Sequence, residues 1–260
     1  MTESKHQEYD YKLVTLCEAV WGKGYISPGG TREVERIVGD TVLEGKQVLD
    51  VGCGSGGISR FLTTRFSTGH ITGVDVDAYL VGLCRQQAGD AGLADKVSYH
   101  CIEPGPLPFS DESFDIVFTK DSLIHIKDKT AICQEVFRVL RDGGEFIASD
   151  WMCSEDPITP EMQRYIELEE LGFGMGNQRQ YYDALFAAGF QEIQFTDRNA
   201  WYRDLAREEH SLLAGELYDE LVADVGRDFT DHNVEIWAAM CVVLDRGELR
   251  PTHWAAKKPG

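Results

Sequence analysis

The chain is short of basic residues, with 25 Lys and Arg against 44 Asp and Glu and a net charge of −19. Nucleic-acid binding needs clustered cations, so this balance excludes nucleic acid as a partner and disfavours anionic membrane surfaces. No apolar run is long enough to span a bilayer, and residues 1–8 lack the apolar segment of a secretory signal. The seven cysteines (Cys17, Cys53, Cys84, Cys101, Cys133, Cys153, Cys241) are odd in number and include no C-x-x-C pair. That argues against a disulfide framework and against a zinc site; the expectation is a reducing, cytoplasmic setting and no metal. Repeats and low-complexity segments are also missing.

What is present is an ordinary globular composition, 43% hydrophobic over 260 residues, with 26 glycines. That is enough for one large α/β domain with a helical cap. The glycines concentrate usefully in one place. Val48-Leu49-Asp50-Val51 reads as a buried strand, followed by Gly52-Cys53-Gly54-Ser55-Gly56-Gly57 and then an apolar helix. Glycine is required where the chain turns with positive φ or where a ligand lies against the backbone. A second strand over residues 70–76 ends in Asp75 about twenty residues later, the position at which a βαβ nucleotide site holds a ribose. The glycine spacing alone also admits a dinucleotide. Asp50 favours another ligand, because a carboxylate there repels a pyrophosphate and suits an ammonium and a sulfonium. S-adenosylmethionine (AdoMet) carries both.

The rest of the chain is organised around this unit. Helical spacing predicts helices over residues 11–21 and from 31 onward, then strands at 47–51, 70–76, 97–102, 114–119 and 145–150 with helices between them. This alternation predicts a doubly wound, mainly parallel, seven-stranded sheet with a Rossmann-like α/β fold. After residue 151 helices are expected at 160–171 and 178–188 and a strand at 191–196. Two long helices, 203–225 and 231–244, then form a lid inserted before a last strand at 250–257. The expected division within a single folded unit is an N-terminal helical lid over the cofactor (1–45), an AdoMet-binding core (46–153) and substrate-binding helices with the last strands (154–260).

The loop with Asp50 and Asp75 resembles the class I AdoMet-dependent methyltransferases. Glu8-Tyr9, Tyr25-Ile26-Ser27-Pro28-Gly29-Gly30 and Lys120-Asp121-Ser122-Leu123-Ile124-His125-Ile126 narrow the resemblance to the phosphoethanolamine N-methyltransferases. The resemblance implies AdoMet as cofactor, with Asp50, Gly52, Gly54, Asp75, Val76, Glu103 and Lys120 contacting it and Tyr25, Ile26 and Ser27 closing over it. It also implies that Tyr9 and His125 form a dyad that locks the site and assists deprotonation, with Asp121 orienting an amine.

One part of the pattern is missing. The resembled enzymes clamp a phosphate with a tyrosine, an Arg–Tyr pair and a late lysine. This chain has Trp151 at the first position, glutamates (Glu167, Glu169, Glu170) along the next helix, and no lysine between Lys129 and Lys257. Replacing Arg by Glu beside a phosphate exchanges a charge-assisted bond of about 1.5–3 kcal/mol for repulsion. The expected acceptor is therefore a small, non-phosphorylated amine, met by Glu8, Trp151, Glu169, Glu170 and Phe173. Arg164, Arg179 and Arg203 are the candidates for a replacement clamp. Phosphoethanolamine methylation and a non-catalytic AdoMet-binding regulatory subunit stay open as alternatives, as does the oligomeric state.

Overall fold

The computed structural model describes residues 9–170 and 172–260. Its centre is the sheet that the alternating pattern predicts. Strands β1 (Gln47–Val51), β2 (His70–Asp75), β3 (Val97–Cys101), β4 (Phe114–Lys120), β5 (Leu140–Cys153), β6 (Gln191–Asp197) and β7 (Leu249–Lys257) pair in the order β3-β2-β1-β4-β5-β7-β6. The first five run parallel, and β7 enters antiparallel between β5 and β6. The order reverses between β1 and β4, and in open α/β sheets ligands bind outside the carboxyl ends of the strands at that switch.

Burial on both faces explains the continuous apolar strands. Val48 packs with α2 (Gly30–Val38), α3 (Gly57–Phe66) and α4 (Ala78–Asp90) on one face through Val34, Ile37, Leu62, Val81 and Cys84. Leu49 faces the opposite layer, α5 (Lys129–Val139) and α7 (Gln178–Ala188), through Ile132, Val136, Tyr181 and Leu185. This is the three-layer α/β arrangement expected of a parallel sheet.

A third core lies apart from the sheet. It joins α1 (Tyr11–Trp21), α6 (Pro160–Glu169), α8 (Asn199–Leu213), α9 (Tyr218–Val225) and α10 (Arg227–Asp245) around Leu16, Tyr165, Tyr202, Leu221, Trp237 and Met240. One expectation is corrected here. The inserted lid comprises three helices, because the segment taken as one helix over 203–225 breaks at residues 214–217, where Gly215 removes helix preference. The N-terminal helix α1 packs into this cap. Helix α6 ends at Glu169, with Glu170 in the left-handed region at φ 52. Leu171, to which its predicted end extended, lies outside the described residues. Among the described residues no helix is long and apolar enough to cross a membrane, and no group of three His, Cys, Asp or Glu is arranged to hold a metal ion.

Candidate active site

The glycine loop after β1 has the geometry its sequence requires. Gly52, Gly54 and Gly56 have φ of 71, 54 and 79, a region closed to most side chains. A Cβ on Gly54 would lie 2.6 Å from Ile26 Cδ1, and one on Gly52 would collide with Ser122. The segment 22–29 is docked against this loop. Gly57 N–H donates to the Gly24 carbonyl at 3.0 Å, and Glu18 accepts from Gly24 N–H at 2.8 Å. Of the three residues expected to close over the cofactor, Ile26 packs on the loop at Gly54 and Ser27 Oγ accepts from Lys120 Nζ, with Tyr25 just before them.

Asp75 ends β2 with Oδ2 accepting from Gly54 N–H and Oδ1 from Asp77 N–H, each at 3.0 Å. Each oxygen keeps a second lone pair, which suits two adjacent ribose hydroxyls. Val76, apolar yet 57% exposed, follows at the place for an adenine face, and exposed Glu103 follows the neighbouring strand β3. Asp50 lies lower than expected. It is buried beneath the loop, accepts from Ser59 Oγ at 2.5 Å, and burial lifts its pKa to about 7. It supports the loop from below instead of standing open at its mouth.

At the carboxyl end of β4, Lys120 and Asp121 meet each other. They form a buried ion pair, with Lys120 Nζ also donating to Ser27 Oγ at 2.9 Å and Ser149 Oγ to Asp121 Oδ1 at 3.0 Å. Asp121 sits at φ 58, held by its N–H on the Ser149 carbonyl at 2.8 Å. Its charge is thus compensated by its own neighbour, and Lys120 ties the closing segment to the sheet. After Ser122, a 3-10 turn (Leu123–His125) presents His125. Tyr9 Oη stands 3.4 Å from His125 Nε2, with the rings edge-on, and Phe173 packs on the other side of the imidazole at 5.7 Å between centroids. The structure brings the predicted dyad together across 116 residues of sequence. Glu8 lies outside the described residues.

The cap closes the site from above. Trp151 meets Tyr202 edge-on at 4.9 Å, and burial lifts Glu169, hydrogen-bonded to Tyr165, to about 7. Glu170 is exposed at the helix end, so of the two adjacent glutamates only Glu169 turns inward. Glu209 was missed by sequence reading. It is buried on α8 and accepts from Trp21 Nε1 at 2.8 Å, Tyr202 Oη at 2.9 Å and Trp237 Nε1 at 3.1 Å. Burial raises its pKa against those three donors, and it lies in the field of Lys120. The spacing Tyr202, Ala206, Glu209, Leu213 was the available signal, since it places the glutamate on the buried face. The three arginines considered for a replacement clamp stand beside acids: Arg164 with Glu235 and Arg179 with Asp183 on the surface, and half-buried Arg203 with Asp204 and Asp245 at 3.8 and 3.9 Å.

Residues 49–148 match the family model described as a methyltransferase domain. A phosphoethanolamine N-methyltransferase of Triticum aestivum is 28% identical over 249 residues, covering 94% of this chain and 47% of that protein. Among solved structures, phosphoethanolamine N-methyltransferase 2 of Haemonchus contortus, with phosphomonomethylethanolamine and S-adenosylhomocysteine, gives a TM-score of 0.88 at 21% identity, covering 99% of this chain and 59% of that one. A candidate sarcosine dimethylglycine methyltransferase of Galdieria sulphuraria gives 0.83 at 21%, covering 95% and 98%. The chain spans about half the length of the curated relatives it matches.

Residues 49–148 thus carry a methyltransferase domain, and the strand order and glycine loop resemble those of the class I AdoMet-dependent methyltransferases. Within that class the chain resembles the phosphoethanolamine N-methyltransferases.

Proposed function

We propose that the protein transfers a methyl group from AdoMet to the nitrogen of a small, non-phosphorylated amine. The observation that carries the acceptor class is the disposition of charge. Glu209 is buried and Glu169 half-buried in the cap, Lys120 is committed to Asp121, Arg164 and Arg179 face outward, and half-buried Arg203 lies beside Asp204 and Asp245. A phosphate dianion entering this cap would meet carboxylates, whereas an ammonium or a second amine would be stabilised by them and by the rings of Trp151 and Tyr202.

AdoMet, when bound, supplies a methyl carbon on a sulfonium that accepts the amine lone pair while the carbon–sulfur pair leaves on sulfur. The chain's residues must place a neutral amine in line with that carbon, about 3 Å away. A protonated amine has no lone pair, so a base must take the proton. Tyr9 Oη takes it while giving its own proton to His125 Nε2, and Phe173 packs against the imidazole. The Lys120–Asp121 pair and Ser27 keep the closing segment in place, so that water is excluded during transfer.

The names of the relatives favour a second reading, methylation of phosphoethanolamine. An acceptor screen read by mass gain of methyl units separates them, comparing ethanolamine, diamines and amino acids with phosphoethanolamine. The expected result is faster gain on the non-phosphorylated amines. A clear preference for phosphoethanolamine, or no gain on any of them, overturns the proposal.

A further inference from the structure

The turn that carries His125 is fastened from beneath by side chains that methyl transfer itself does not use. Lys129 opens α5 and is buried; its Nζ donates to the Leu123 carbonyl at 2.5 Å and to the Ile126 carbonyl at 2.6 Å. Asp150, fully buried on β5, accepts the Ile124 N–H at 3.1 Å on Oδ1 and the Tyr181 hydroxyl on Oδ2. The Ile124 carbonyl takes the N–H of Gly174 at 2.6 Å, which links the turn to the residue beside Phe173. Tyr181 completes the set, its ring centroid 5.1 Å from Lys129 Nζ.

Four main-chain groups of the turn thus end on fixed partners. A 3-10 turn has poor hydrogen-bond geometry of its own and would leave the imidazole loosely placed. Base catalysis needs placement within about 0.5 Å, which comes from surrounding packing and hydrogen bonds. Apolar residues would fill this volume without the cost of burying an ammonium and a carboxylate. What the charged pair adds is direction, because each charge is spent on a particular main-chain atom of the turn.

We propose that Lys129 and Asp150 are positioning residues that set His125 against Tyr9 and the acceptor amine by fixing the main chain of its turn. This rests on His125 as the base. Lys129→Met keeps the apolar stem and removes the ammonium. With ethanolamine or phosphoethanolamine as acceptor, whichever gains methyl units faster, it should lower kcat about 10- to 100-fold while AdoMet binding by calorimetry is unchanged. In a His125→Ala background the same substitution should lower kcat no further; an equal loss in both backgrounds overturns the positioning role. Full turnover by His125→Ala alone would instead overturn the base reading. The inference then stands or falls on the nitrogen NMR signals of the His125 ring, which should shift in Lys129→Met and in Asp150→Asn. Unchanged ring signals in both variants overturn it. Should Lys129→Met fail to fold, Asp150→Asn carries the same readouts, since it preserves shape but keeps only one of the two acceptor oxygens that hold Ile124 N–H and the Tyr181 hydroxyl.

Discussion

Tyr9 Oη and His125 Nε2 are 3.4 Å apart, longer than a strong hydrogen bond, and such contacts commonly tighten when substrate fills a site. In the proposed relay the hydroxyl hands the proton to the imidazole, so both residues serve one step. His125→Ala and Tyr9→Phe should each lower kcat by about 10²–10⁴-fold, with little change in AdoMet affinity. Steady-state turnover beside equilibrium AdoMet binding checks this, and unchanged turnover in both variants would remove the dyad from the mechanism. These two residues were legible in the sequence because their spacing follows a family pattern. Asp121 was legible as a position but not as a role, since its charge is answered by Lys120, a partner that the sequence placed with the cofactor. Glu209 was harder to read: Arg207-Glu208-Glu209-His210 looks like a solvated face, against which only the spacing of Tyr202, Ala206 and Leu213 argues, and its partners Trp21 and Trp237 come from helices far apart in the chain.

Elements are held in register by similar buried charges. Glu33 on α2 is 2% exposed and accepts from Arg198 at 2.7 and 3.0 Å and from His253 at 2.9 Å. It joins α2 to the start of α8 and to β7, so it links the cofactor side of the sheet to the cap. Although burial pushes the other way, the bonds to His253 and Arg198 hold its pKa down to about 2. The stabilisation is therefore present above the ordinary glutamate value of 4.5 and is lost as pH falls through about 2. Glu33→Ala leaves the Arg198 guanidinium and the His253 ring without their partner and should cost about 3–5 kcal/mol in urea unfolding at neutral pH. A variant within 1 kcal/mol of the parent would show that the three elements are held together by apolar packing alone. The sequence announced the elements themselves through apolar periodicity, which survives any choice of partner. It missed the break between α8 and α9 because apolar spacing continues across it, leaving Gly215 as the sole local sign.

Across the described residues, carboxyl groups raised by enclosure, among them Asp50, Asp150 and Glu169, give stability a pH dependence opposite to that of Glu33. Asp50, Asp150 and Glu169 are each lifted to about 7, chiefly by burial. Between about pH 4 and 7 the unfolded chain has released these protons and the folded chain still holds them, so stability falls as pH rises through that window. Moving one carboxyl from about 4 to about 7 corresponds to at most about 4 kcal/mol, so even part of the effect is measurable. Repulsion within a chain of net charge −19 runs in the same direction, but salt distinguishes the two. Repulsion between exposed charges is screened beyond about 10 Å at ~0.1 M salt, whereas enclosed carboxyls are little affected. The melting temperature should therefore decline from pH 5 to pH 8 at low and at high salt, and the decline should be shallower in Asp50→Asn, which keeps an acceptor for Ser59. A decline abolished by salt would assign it to surface repulsion, and an unchanged slope in Asp50→Asn would remove Asp50 from the account. The site makes use of the same enclosure, because a cap that raises the cost of ionised carboxyls also favours whatever cation binds among them. An amine acceptor should then stabilise the protein more at pH 8 than at pH 5, and a melting shift that is larger at pH 5 would show that Glu169 does not face the acceptor.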